Sequence, residues 1–124
     1  MNTTGKLAVV RSIQGTEVER WETMSVQMLT NGFQKTDDGK DPRFVLFYGK
    51  HLEDGDHVLT LDPASTTKLS YRSSNGKEFA ATGVVNITVN DFGSQQKGEI
   101  HAELKDPSGQ VFTLKGDFEG KNDL

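Results

Sequence analysis

The chain has 124 residues, enough for one domain that closes a core without metal or crosslinks. Its 14 Lys and Arg stand against 18 Asp and Glu, a formal charge of -4, which disfavours nucleic acid as a partner. These residues include no cysteine, so they offer no disulfide, thiolate metal ligand, cysteine nucleophile or lipid-bearing thiol, and no apolar run approaches the roughly 18 residues of a membrane span.

The first ten residues, MNTTGKLAVV, lack a charged start followed by a long apolar stretch. The expected setting is therefore the cytoplasm, or the periplasm or cell surface for a mature segment expressed without its leader. Leu7 to Ile13 predicts a strand. Thr16 to Thr30 fits two templates. Thr16 and Glu19 have capping-box spacing, and Val18, Trp21, Met24, Met28 and Leu29 fall on one helical face. Against that, Met24, Val26 and Met28 alternate. A bent strand ending near Leu29 is expected, with one short helix as the competing form. Gln34 to Pro42 (QKTDDGKDP) predicts a solvated loop, Phe44 to Tyr48 a buried strand and His57 to Leu61 another.

Period-two alternation is clearest in the C-terminal half. Leu69 and Tyr71 form one face of a short strand. Phe79, Ala81, Gly83, Val85, Ile87 and Val89 form one face of a long one. Ile100, Ala102 and Leu104 follow, then Phe112, Leu114, Gly116 and Phe118. Asp106-Pro107-Ser108-Gly109 suits a type I turn closed by a left-handed glycine. It pairs Leu104 with Phe112 and Ala102 with Leu114. Ser73 to Lys77 supports the same turn, pairing Tyr71 with Phe79 and Leu69 with Ala81. A two-residue turn at Asn75-Gly76 would put Tyr71 and Phe79 on opposite faces, so it is rejected. Across the loop Asn90 to Gln96, the expected pairs are Ile87 with Ile100 and Val89 with Gly98.

These features predict an all-β antiparallel meander of about eight strands, closed as a sandwich or lipocalin-like barrel. Gly83, Gly98 and Gly116 point inward. They either clear a floor for a ligand or relieve crowding and make room for Phe118. Leu7 to Ile13 and Val111 to Phe118 are the expected open edges, and they leave the choice between a monomer and an edge-strand dimer open.

From Leu52 onward the chain resembles small bacterial lipoprotein-type β domains of unknown function, with lipocalin-type or calycin-type meanders. The matching pieces are Gly55, His57 and Leu59; Gly83, Val85 and Ile87; and Gly116 and Phe118. His57 stands where that pattern has an aromatic residue, and its anchor cysteine is missing. The resemblance implies a calycin-like carrier of a small apolar ligand as one possible role, and it implies no catalytic residue or cofactor.

Histidines and carboxylates are densest at His51-Leu52-Glu53-Asp54-Gly55-Asp56-His57. The residue types suit a divalent cation, but the spacing matches no metal loop. An acidic hairpin turn, with His57 on the face of Leu59, is the expected form. The predicted register also sets Glu99 opposite Asp117 and His101 opposite Lys115 on the outer face, with Thr88 beside Glu99. This is read as a solvated face, and its like-charged pair could attract a partner's Lys or Arg. Trp21, Phe33 and Phe92 are candidate contact aromatics near loops. No nucleophile elbow or phosphate loop is present. The expected function is a non-catalytic module that binds a protein or saccharide through loops or an outer sheet face. Its candidate contacts are Trp21, His57, Phe92, Glu99, His101 and Asp117.

Overall fold

The computed structural model describes residues 3–36 and 40–122. Among them the chain forms ten strands and no helix: β1 (Thr3–Ile13), β2 (Thr16–Thr23), β3 (Val26–Leu29), β4 (Gly32–Lys35), β5 (Arg43–Phe47), β6 (Gly55–Leu61), β7 (Lys68–Arg72), β8 (Glu78–Asn90), β9 (Gln95–Lys105) and β10 (Val111–Asn122). The sheet order is β2-β1-β10-β9-β8-β7-β5-β4-β3, with β6 also paired to β8. The far strand comes round to the start of β1. There Met28 N–H donates to Thr3 Oγ1 at 3.0 Å, and Asn122 Nδ2 donates to Met28 O at 3.2 Å. The antiparallel sheet is thus nearly closed into a barrel of about nine strands.

Residues 16–30 contain no helix. They are two strands joined by a bend at Met24 and Ser25, where Val26 N–H donates to Met24 O at 3.1 Å and Ser25 N–H to Thr23 Oγ1 at 3.0 Å. The bend switches the inward parity. Glu19 and Trp21 point inward before it, Val26 and Met28 after it. That switch produced the apparent helical stripe, and its members Val18, Met24 and Leu29 are in fact exposed. Gln34 and Lys35 end β4, so the predicted loop begins later; positions 37–39 of it lie outside the described residues. β5 is not buried on both faces, because Phe44 and Leu46 face the core while Phe47 is 47% exposed.

In the C-terminal half the predicted parity holds along every strand. Ala81, Val85, Ile87, Val89, Ile100, Ala102, Leu104, Phe112, Leu114 and Phe118 are all buried. The turns at 73–77 and 106–110 form as expected. Ser73 N–H donates to Lys77 O and Asp106 N–H to Gln110 O, with Gly76 and Gly109 at φ 84° and 90°. Tyr71 pairs with Phe79, Leu104 with Phe112 and Ala102 with Leu114. The expected Leu69–Ala81 pair does not form. The β7–β8 ladder ends at Tyr71–Phe79, and beyond it β6 takes over that side of β8 from Gly83 onward.

The register between β8 and β9 differs from the expectation by two residues. Ile87 faces Gly98 and Val85 faces Ile100, because Asn90 pairs with Gln95 and leaves only Asp91 to Ser94 in the turn. Three consecutive residues there, Asp91, Phe92 and Gly93, adopt φ values of 53°, 57° and 84°. A shift of two keeps each side chain on its face, so the core survives the change. The outer rows do not: Asn86, not Thr88, lies beside Glu99.

Neither expected edge is open. β1 lies between β2 and β10, and β10 between β1 and β9. The interior rows are packed with rings. Phe118 lies over Gly98, where a Cβ would stand 2.3 Å from its Cζ, and Phe118 meets Phe33 at 4.7 Å between ring centroids. Gly83 serves a different need: a Cβ there would sit 2.2 Å from His101 O on the neighbouring strand, at a φ of 149°.

Candidate functional site

The barrel has two ends. One carries the turns at 14–15, 73–77 and 106–110, and the other carries the 30–31 turn, the 48–54 loop and the 91–94 turn. At the first end, β1 and β2 bring Arg11 and Glu19 into an ion pair at 3.1 Å, with side chains 10% and 7% exposed. The Arg11 guanidinium lies over Phe79 and Phe112, 5.0 and 4.5 Å from the ring centroids. Tyr71 hydroxyl donates to Glu19 Oε1 at 2.6 Å and accepts from Trp21 Nε1 at 3.0 Å. Ser74 donates its N–H and its hydroxyl to Glu19 Oε2, at 2.7 and 2.6 Å. Burial alone would raise the Glu19 pKa, but the hydrogen bonds from Ser74, Tyr71 and Arg11 outweigh it and hold the carboxyl below its ordinary value. Burial, with the Glu19 hydrogen bond, pushes the Tyr71 phenol well up.

This network ties β1 and β2 to the β7–β8 turn across the barrel mouth. Its charges are spent on internal partners, so it works as a plug. Trp21 belongs to it, half-buried, stacked at 16° on Tyr71 and edge-on to Phe44. It is therefore not the loop aromatic the sequence suggested. Phe33 is also inside the core, 1% exposed. Nearby, the hydrogen bond from Ser108 leads the interactions that lower Asp106 to about 2, with Gln110 N–H and Lys77 contributing.

At the second end, Tyr48 hydroxyl donates to Gln96 Oε1, and Gln96 Nε2 donates to Leu29 O at 3.0 Å. Thr67 hydroxyl donates to Tyr48 O at 2.9 Å. Above this layer, the β8–β9 turn projects beyond the barrel. Asp54, from the loop before β6, accepts from Phe92 N–H at 2.9 Å and from Gly93 N–H at 3.0 Å. One carboxylate thus caps two successive amides of a left-handed turn, and the turn closes with Ser94 N–H on Asp91 O at 3.1 Å. Asn122 N–H adds a bond to Ser94 O at 2.9 Å. The whole fixture holds a fully exposed phenylalanine ring away from the core.

The sequence named Phe92 and the His51–His57 segment separately, and the structure joins them. His51, Leu52, Glu53, Asp54, Phe92 and Gly93 line one shallow depression of about 360 Å³. The acidic and imidazole groups of the segment are each engaged differently. Asp54 holds the turn, Asp56 accepts from Thr88 hydroxyl at 2.7 Å, and His57 Nε2 lies 2.6 Å from Glu53 O. Among the described residues no group of three His, Asp or Glu side chains converges as a metal site would require.

The remaining candidates lie elsewhere. Glu99 faces Asp117 and His101 faces Lys115 on the outer wall, all solvent-exposed, with His101 Nε2 3.7 Å from Glu99 Oε2. No titratable group in this patch is buried. Sequence reasoning missed the plug residues Arg11, Glu19 and Tyr71, and it missed the role of Asp54. Arg11 did carry a signal, as a charged residue at an inward position of β1.

A comparison with known protein families, with characterised proteins and with solved structures found no match to this chain.

Proposed function

We propose that this protein is a non-catalytic binding module whose contact surface is the end of the barrel bearing the Phe92 turn. The observation that carries the reading is the fully exposed Phe92 ring on a backbone fixed by Asp54. A large apolar side chain in water gains nothing for folding, and its burial in a partner would contribute about 2 kcal/mol. Glu19, Tyr71 and Asp106, whose ionisation is displaced, are bound by internal partners at the opposite end, and at the Phe92 end the Tyr48 phenol, pushed up by burial, is bound to Gln96 inside the barrel. The room left by Gly98 is filled by Phe118, which favours a surface contact over a carrier of an apolar ligand inside the barrel. The likeness to lipoprotein-type calycin domains enters this proposal as a likeness of strand pattern.

The test is recovery of bound material from the source organism by the wild-type chain, Phe92→Ala and Val111→Ala. Val111 is 48% exposed near the opposite end, so it is a matched control. Capture should fall in Phe92→Ala and persist in Val111→Ala. Material retained equally by all three forms, or lost only with Val111, would place the contact elsewhere.

A further inference from the structure

We propose that the outer groove beside the Phe92 turn is a site for an acidic saccharide. This rests on the reading of the Phe92 end as the binding end and names its ligand class. Asn90 pairs with Gln95, Gln95 with Lys121, and Lys121 with Thr4, so one row of polar side chains crosses β8, β9, β10 and β1. All four positions have outward parity. At about 4.8 Å per strand the row spans roughly 14 Å, enough for a short oligomer. It borders a groove of about 430 Å³ whose floor includes the backbone of Gly5 and Gly120.

Among the described residues, none of these four side chains has a hydrogen-bond or ion-pair partner, nor does Lys97 in the next row. The one carboxylate in the groove, Glu119, is engaged by Lys6 at 3.6 Å. Two free ammonium groups therefore make this groove locally positive on a chain of charge -4. Each amide both donates and accepts, which matches the alternating demands of sugar hydroxyls. The ammonium groups match a carboxylate. The Phe92 ring stands on the turn that joins Asn90 to Gln95, outside the groove lining and over the adjoining depression of His51 to Asp54, and its full exposure leaves an apolar face at the end of the row. Hydroxyls, an apolar ring face and a carboxylate occur together in a uronic-acid oligosaccharide. A nucleic-acid strand is the poorer fit, because phosphate backbones draw their affinity from many cations at once.

The experiment is an NMR titration of the 15N-labelled full chain with tetragalacturonate. Neutral cellotetraose and a tetrathymidylate serve as comparison probes. Tetragalacturonate should shift the side-chain amides of Asn90 and Gln95 and the backbone amide of Phe92. Lys121→Gln, Lys97→Gln and Phe92→Ala should each weaken it about tenfold, while Lys115→Gln on the outer wall should not. Four outcomes overturn the inference: no shifts at saturating tetragalacturonate, shifts confined to other surfaces, equal response to cellotetraose, or stronger binding of tetrathymidylate. If tetragalacturonate fails while capture of native material still depends on Phe92, only the ligand class falls. If capture is also indifferent to Phe92, the reading of this end falls too.

Discussion

The two ends of the barrel use buried and capping polar groups to opposite effect. At the Trp21 end, Arg11, Glu19, Tyr71 and Ser74 satisfy one another and draw three aromatic rings, Trp21, Phe79 and Phe112, against the plug. At the Phe92 end, Asp54 satisfies two turn amides and leaves an aromatic ring outside. Both arrangements leave no buried side-chain polar atom without a partner among the described residues. Only the second holds a fully exposed aromatic ring. The contrast separates a device for stability from a device for presentation.

That separation can be broken by mutation. The largest effect is expected for Glu19→Ala, which leaves the Arg11 charge buried between two rings. Urea unfolding should show a loss of about 3 kcal/mol, and Glu19→Gln should lose less. If Glu19→Ala unfolded like the wild type, the plug would not be the closing element.

The next effect depends on pH. The folded pKa of Asp106 is about 2, below the carboxylate value of 3.8. Its contribution is therefore present above that ordinary value and is lost as pH falls through the interval toward 2. An acid titration followed by circular dichroism should show this loss in the wild type. Asp106→Asn should flatten the stability profile across that interval, and an unchanged profile would contradict the assignment.

At the other end the effects shrink. Asp54→Ala removes the cap on two solvent-facing amides and should cost about 1 kcal/mol. Hydrogen exchange should report the change, with faster exchange confined to the 91–94 turn. Phe92→Ala should change the unfolding free energy measured in urea by no more than a neutral surface substitution does, about 0.5 kcal/mol. A destabilisation comparable to that of Glu19→Ala would mean the ring packs in solution, and presentation would lose its basis.

The sheet was legible because side-chain parity is a local property. Val85, Ile87, Ile100 and Phe118 show their face through their immediate neighbours, and the turns at 73–77 and 106–110 carry glycine at the required left-handed position. The β8–β9 register was not legible to within two residues. Nothing in NDFGSQQ states how many of its residues go left-handed, and a shift of two conserves the pattern. Residues 16–30 form the bent strand expected, ending at Leu29, but a helix stayed in competition because a parity switch at Met24 and Ser25 mimics a helical stripe. The sites divide likewise. Phe92 was visible as an aromatic within a turn. Its clamp was not, because Asp54 lies 38 positions away, and Glu19 meets Tyr71 across 52. Such contacts come from barrel closure, which no short window of sequence contains.

The most direct measurement is the 15N relaxation of the Phe92 and Gly93 amides in the wild-type chain and in Asp54→Ala. A turn held to present its ring should give order parameters near the rigid-backbone value of about 0.85 in the wild type, with a clear fall in the variant. Values already below about 0.6 in the wild type would show a mobile loop, and the ring would not be presented at all.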